Sequence, residues 1–156
     1  MSAVEALQQV VVFTLGAQRY GLALAAVERV VRIVEITPLP QAPEIVLGII
    51  NVQGRLMPVM NLRRRFRLPE REPALNDQMI IARLKQRSVA LVVESVAGVL
   101  DHAPREAVAS GDILPDSDYV DCVVKLEDGL ILIHDLDRFL SSDETRSLDA
   151  AMKTVQ

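Results

Sequence analysis

The side chains best suited to nucleophilic or metal chemistry in this 156-residue chain are two histidines, His102 and His134, one cysteine, Cys122, and a few serines. Neither histidine has a cysteine or carboxylate at metal-ligand spacing. In His134-Asp135-Leu136-Asp137 a strand would turn His134 and Asp135 to opposite faces, and no second cluster supplies further ligands. Ser88, Ser95, Ser110 and Ser117 lack the G-x-S-x-G setting of an exposed nucleophile. Gly48 and Gly54 form no phosphate cradle, because no helix or Lys-Ser/Thr pair follows. The series Asp112, Asp116, Asp118, Asp121 has neither the mid-loop glycine nor the closing glutamate of a calcium loop and reads as solvated acid. Cys122 lies in an apolar, strand-like run, as a buried inert thiol would. The expectation is no catalytic residue, no metal and no cofactor: a protein that is not an enzyme.

Composition narrows the remaining classes. Half the residues are hydrophobic, the aromatic side chains are only Phe13, Tyr20, Phe66, Tyr119 and Phe139, and the net charge is −4. That leaves too few rings for base stacking and no positive field for phosphate, which argues against nucleic acid. The one basic run, Arg63-Arg64-Arg65 with Arg67, is diluted by Glu70 and Glu72 and reads as a solvated face. A lone cysteine permits no internal disulfide and fits a reducing compartment. The opening MSAVEALQQ has no basic n-region, and no segment approaches the roughly 18 apolar residues of a membrane span. A cytoplasmic protein without direct membrane insertion is expected.

The elements that must carry any function are short strands. Val10 to Leu15 and Tyr20 to Leu24 flank a turn at Gly16–Arg19, and Val46 to Val52 and Leu56 to Asn61 flank Gln53-Gly54-Arg55. Pro58 implies an edge position or a bulge. Ala25 to Val31 reads as one helical turn or a bulge, followed by a β-branched run. Pro38, Pro40 and Pro43 force an extended loop. Further hairpins are expected over 79–93 and over 119–134, the latter turning at Glu127-Asp128-Gly129, with 108–118 as a loop. Short helices could start at Asn61 and Asp135. The tail from Ser141 spaces Leu148, Ala151, Met152 and Val155 as an amphipathic helix capped at Ser142 or Asp143.

Two stretches repeat. Leu15, Tyr20, Leu22, Leu24, Val27 and Val30 return 69 places on as Leu84, Val89, Leu91, Val93, Val96 and Val99. Ile49-Ile50-Asn51-Val52 … Asn61-Leu62 returns 74 places on as Val123-Val124-Lys125-Leu126 … Asp135-Leu136. A duplicated unit of about 70 residues follows. The strand pattern makes each copy a small barrel, with closure removing exposed edges. The polar, proline-containing stretch 68–77 reads as the linker between halves.

The run Gly48-Ile49-Ile50-Asn51-Val52-Gln53-Gly54-Arg55-Leu56-Met57-Pro58-Val59-Met60-Asn61-Leu62-Arg63 resembles the hallmark of the CheW family of bacterial chemotaxis coupling proteins, approximately G-V-x-N-L-R-G-x-x-x-P-V-x-D-L-R. Phe13-Thr14-Leu15 … Tyr20-Gly21-Leu22, Ile36-Thr37-Pro38-Leu39-Pro40, Val92-Val93-Glu94-Ser95-Val96 and Gly129–Leu136 fit in order, so the likeness covers about 10–140. It implies an all-β fold: two SH3-like five-stranded β-barrel subdomains, about 10–75 and 76–140, around a shared hydrophobic core, with a few short helices and a helical or frayed tail over 141–156. It implies a non-catalytic adaptor that couples chemoreceptor cytoplasmic tips, docked between barrels, to the regulatory domain of a CheA-type histidine kinase, whose barrels meet its barrel ends. The alternative is a regulatory domain that binds or inhibits a kinase without bridging receptors.

Carried over residue by residue, the receptor- and kinase-binding surface would comprise Val27, Arg29, Gly48, Asn51, Gln53, Gly54, Arg55, Val96 and Gly98. For the glycines a structural role competes with a binding one, Gly54 in a tight turn and Gly48 at a close backbone approach; Asn51 could brace that turn. Three positions depart from the family. Val27-Glu28-Arg29-Val30 stands where V-x-E-V is usual, Asn51-Val52-Gln53-Gly54 stands where N-L-R-G is usual, and Cys122 replaces a glycine. Gln53 cannot make the charged bidentate contact of an arginine. The departures imply a non-standard receptor–kinase set, with the basic charge moved from 53 to Arg29 or supplied by Arg55.

Overall fold

The computed structural model describes residues 9–101, 107–109, 120–126 and 129–155. Apolar, largely β-branched runs broken by turn residues give β1 (Gln9–Leu15), β2 (Gln18–Ala23), β3 (Val27–Arg32), β4 (Val46–Val52), β5 (Arg55–Met60), β6 (Gln78–Arg83), β7 (Ser88–Val93), β8 (Ser95–Asp101), β9 (Ala107–Ala109), β10 (Val120–Leu126) and β11 (Gly129–His134). Among the described residues, helix is confined to 3-10 turns at Leu24–Ala26 and Leu136–Arg138, the single turn α1 (Leu62–Arg65) and α2 (Ser142–Lys153). The expected all-β class with few helices and a C-terminal helix is what forms.

The strands make two sheets, ordered β8-β1-β2-β11-β10-β9 and β3-β6-β7-β5-β4. Under the repeat shifts of 69 and 74 residues the two orders coincide. β3 corresponds to β8, β6 to β1, β7 to β2, β5 to β11 and β4 to β10. Registers agree as well: the parallel ladder that sets Gly21 against Ile133 sets Ala90 against Val59 in the other sheet. The extra strand has a counterpart too. β9 pairs Val108 with Val123, and the segment after β3 makes a single bridge from Thr37 to Ile49, the residue 74 places before Val123. In each sheet, chain beyond one edge strand thus returns to the opposite edge, so both curl toward closure as SH3-like sheets do.

The halves are not sequential. One compact unit holds residues up to Val27 and Glu94–Phe139; the other holds Glu28–Val93 and Leu140–Gln156. The expected division at about 75 is therefore replaced by an exchange: the first hairpin of each copy completes the sheet of the other. The segment 68–77 is no linker but part of the second unit. Arg71 donates two hydrogen bonds to the buried Asp77 (2.9 and 3.0 Å), and the Ala74 amide donates a third at 2.8 Å.

Each unit has its own core. Val10, Val12, Val124, Ile131 and Ile133 pack together in the first, and Met79, Ile81, Ile50, Met57 and Val59, their repeat equivalents, pack with Val52 and Ala90 in the second. Pro58 is on neither edge. It sits in the inner strand β5, and the β5–β7 ladder begins one residue later at Val59, so β7 requires no N–H from it. Asn61 and Asp135, 74 residues apart, both cap the helical turn that follows, accepting from the Arg64 amide (3.1 Å) and the Asp137 amide (3.0 Å).

The cap of α2 is Ser141, one residue before the expected position. Its Oγ accepts from the Glu144 amide (3.1 Å), while Glu144 accepts from the Ser141 amide (2.9 Å). Leu148, Ala151 and Met152 are buried, and Glu144 and Asp149 pair with Arg65 and Arg87 of the second unit. The arginine run is correspondingly not a free solvated face: Arg64 pairs with Glu44 and Glu70, and Arg65 is largely buried against Glu144.

Candidate partner-binding surface

The β4–β5 hairpin closes with Val52 opposite Arg55, leaving a two-residue loop of Gln53 (φ 51°) and Gly54 (φ 86°). Positive φ at both central positions is the type I′ geometry that suits twisted strands, and glycine at the second makes it inexpensive. Asn51 Oδ1 accepts from the Gly54 amide at 2.8 Å, so it braces this turn. Gly48 lies farther along β4, opposite Val59, and is buried: a Cβ there would lie 2.8 Å from Ile36 Cγ2 and overlap the Thr37 carbonyl oxygen. It permits the Thr37–Ile49 bridge and offers no surface.

Two polar groupings flank the turn. Arg29, from β3, donates to Gln53 Oε1 at 3.3 Å, so the two positions that depart from the family pattern touch each other. Beside them, Arg55 donates to Glu28 Oε2 (3.3 Å) and to Ser88 Oγ (2.9 Å), and the Ser88 hydroxyl donates to the other Glu28 oxygen. The Ser88 hydrogen bond, with Arg55 and the more distant Arg83, outweighs partial burial and holds the Glu28 carboxyl below the usual glutamate range. The ion pair is half exposed and adds little stability. What it does is neutralise Arg55. Arg29, held only by a neutral amide among the described contacts, keeps its charge uncompensated.

Of the nine expected surface residues, Arg29, Asn51, Gln53, Gly54 and Arg55 thus come together at one end of the second unit, where the start of β3, the β4–β5 turn and the first residue of β7 converge. Val27 opens β3 at the unit boundary. Val96 and Gly98, in the exposed edge strand β8 of the first unit, are the repeat equivalents of Val27 and Arg29. Glu28 and Ser88 were not expected. Ser88 opens the strand equivalent to β2, a position the repeat could have marked; its approach to Glu28 depends on the exchanged β6–β7 hairpin, which no local pattern reveals.

Other expectations fall elsewhere. His134 is buried, with its ring 5.5 Å from that of Tyr20. Among the described residues no three His, Cys, Asp or Glu side chains are placed to hold one metal ion, and no helix is long and apolar enough to cross a membrane. Cys122 lies in β10, its side chain outside the described part. His102, Asp112, Asp116, Asp118 and the Glu127-Asp128 turn lie outside the described residues, as does most of the expected 108–118 loop, of which Val108 and Ala109 belong to β9.

Comparison with known proteins gives a consistent answer. A family model described as a CheW-like domain matches residues 9–144. The chain is 29% identical over 139 residues to a chemotaxis protein CheW of Rhizobium meliloti, covering 88% of this chain and 90% of that one. It is 26% identical over 154 residues to a CheW of Klebsiella aerogenes, covering 94% and 90%. Among solved structures it superposes on the scaffolding protein TtCheW from Thermoanaerobacter tengcongensis with a TM-score of 0.80 at 29% identity, covering 88% of this chain and 95% of that one.

Proposed function

This chain belongs to the CheW-like domain family of chemotaxis scaffold proteins, and on that premise we propose that it is a non-catalytic adaptor coupling chemoreceptor cytoplasmic tips to a CheA-type histidine kinase. It works in the cytoplasm and reaches the membrane through the receptors it binds. Its partner-contacting residues are Val27, Arg29, Asn51, Gln53, Gly54, Arg55, Val96 and Gly98, while Gly48 admits the Thr37 backbone beside β4. The observation that carries the reading is the likeness, across nearly the whole chain, to a solved scaffolding protein. A two-fold internal repeat suits such a task, since each copy can offer a similar surface to a different partner.

The test is co-sedimentation with receptor-bearing membranes, with and without the kinase. An adaptor is pelleted by receptors alone and carries additional kinase into the pellet. A chain that binds the kinase in solution but never pellets without it would instead be a kinase-binding regulatory domain, and the coupling role would be wrong.

A further inference from the structure

The net charge of −4 conceals an uneven division. Met1–Val27 and Glu94–Phe139, the first unit, carry four basic and twelve acidic side chains, a net charge of −8. Glu28–Val93 and Leu140–Gln156, the second unit, carry thirteen basic and nine acidic ones, a net charge of +4. Two units with corresponding strand orders therefore differ by twelve charges. The difference recurs at repeat-equivalent positions. Arg32 ends β3 and Asp101, 69 places on, ends β8. Both are exposed, and neither forms an ion pair among the described residues. Arg63 in α1 corresponds to Asp137 in the 3-10 turn, 74 places on. By the same shift the turn residues Gln53-Gly54 correspond to Glu127-Asp128.

Exposed apolar side chains do not distinguish the units in this way. Val30 in β3 and its equivalent Val99 in β8 are both exposed, so each edge strand offers a partner the same kind of side chain. What differs is the field. The screening length of about 8 Å at physiological ionic strength is shorter than the radius of gyration of a compact unit of this size, about 11 Å. A partner approaching one unit therefore responds to that unit's charge rather than to the molecular sum. Charge of one sign across a unit accelerates encounter with a surface of opposite sign and suppresses encounter with the wrong one.

Resting on the adaptor reading, we propose that the two units take partners of opposite charge: the second unit an acidic protein surface, the first a basic one. Duplication supplied two similar frames, and the inverted charge makes them non-interchangeable. Coupling then has a polarity, because each partner is directed to its own unit before any short-range contact forms.

The test measures association and dissociation rates of the full chain with the full-length cognate kinase and, separately, with a receptor cytoplasmic fragment. Arg32→Asp should slow association of the partner of the second unit by about threefold or more and should not slow that of the first. Asp101→Arg should do the reverse. The double exchange, Arg32→Asp with Asp101→Arg, keeps the overall charge at −4 and should nevertheless slow both partners. Dissociation rates should change by less than about twofold, and the differences should fade at about 1 M NaCl, where the screening length is about 3 Å. A double variant that leaves the association rate of either partner unchanged overturns the assignment. So does a response of both partners in the same direction to either single exchange. If the unsubstituted chain binds neither partner, the adaptor reading itself fails. Unchanged thermal unfolding of each variant separates lost attraction from lost fold.

Discussion

Gly21 and Ala90 occupy the same place in the two repeats, yet only one tolerates a methyl group. A Cβ on Gly21 would come within 2.7 Å of Ile133 Cδ1 and closer still to Val10 Cγ1. At the equivalent place in the second unit the neighbours are Val59, one carbon shorter, and the unbranched Met79. Gly21→Ala should therefore destabilise the protein by about 1–3 kcal/mol through overpacking. Adding Ile133→Val should recover part of that loss although it costs about 1 kcal/mol alone. Chemical denaturation of the two single variants and the double variant checks this; simple additivity would mean the methyl is accommodated elsewhere. The two glycines of the hallmark run separate in the same measurement. Gly48→Ala strikes backbone and should cost more than Gly54→Ala, which meets open space and bears only the positive-φ penalty of about 1–2 kcal/mol. At this scale the sequence was informative about roles set by local geometry: Asn51 bracing a turn, Gly54 forming it, Gly48 admitting a neighbouring backbone. It could not distinguish Arg29 from Arg55, because that difference depends on Ser88 and Glu28 meeting across some 60 residues of chain.

Hairpins, turns and the duplicated spacing were legible because alternation and glycine placement act within a few residues. Segments held by side-chain pairing were not, and 68–77 is the clearest example. Its prolines and charges read as solvent-exposed linker, but the Arg71–Asp77 pair fixes it. Burial alone would raise the Asp77 pKa; the hydrogen bonds from Arg71 and the Ala74 amide, with the charges of Arg71 and Arg63, prevail and lower it. Because the folded-state value lies below the unfolded one, near 3.9, this stabilisation is complete above the unfolded value and is lost as pH falls through the folded value. Asp77→Asn should lower stability at neutral pH and flatten the acid limb of a stability–pH curve measured by urea titration; a parallel limb would assign the acid sensitivity to other carboxylates. The terminal helix is legible in periodicity but not in consequence. Ser141→Ala removes one arm of the capping box and should cost about 1 kcal/mol, read as a lower urea midpoint. Glu144→Ala should cost more, since Glu144 also pairs with the mostly buried Arg65.

Across the whole molecule, the repeat in the sequence indicates two similar halves and even their strand correspondence, but not which strands belong together. Pairing of β1 with β8 and β2 with β11 joins residues 81 to 112 apart, and no local signal encodes it. The exchanged hairpins make a sharp prediction. Fragments 1–76 and 77–156 each contain a hairpin whose sheet lies in the other, so neither should show a cooperative unfolding transition alone, whereas mixing or co-expressing them should yield one folded complex. A fragment that folds by itself would mean the exchange is dispensable. The same arrangement governs what happens at the ribosome. When β2 has been made, its hairpin waits for β8, more than seventy residues later, roughly 4–14 s at ordinary elongation rates. The second unit cannot seat α2 until residues 142–153 have been made. An apolar hairpin therefore emerges long before its sheet exists, and it stays unpaired for longer than it would in two consecutive barrels.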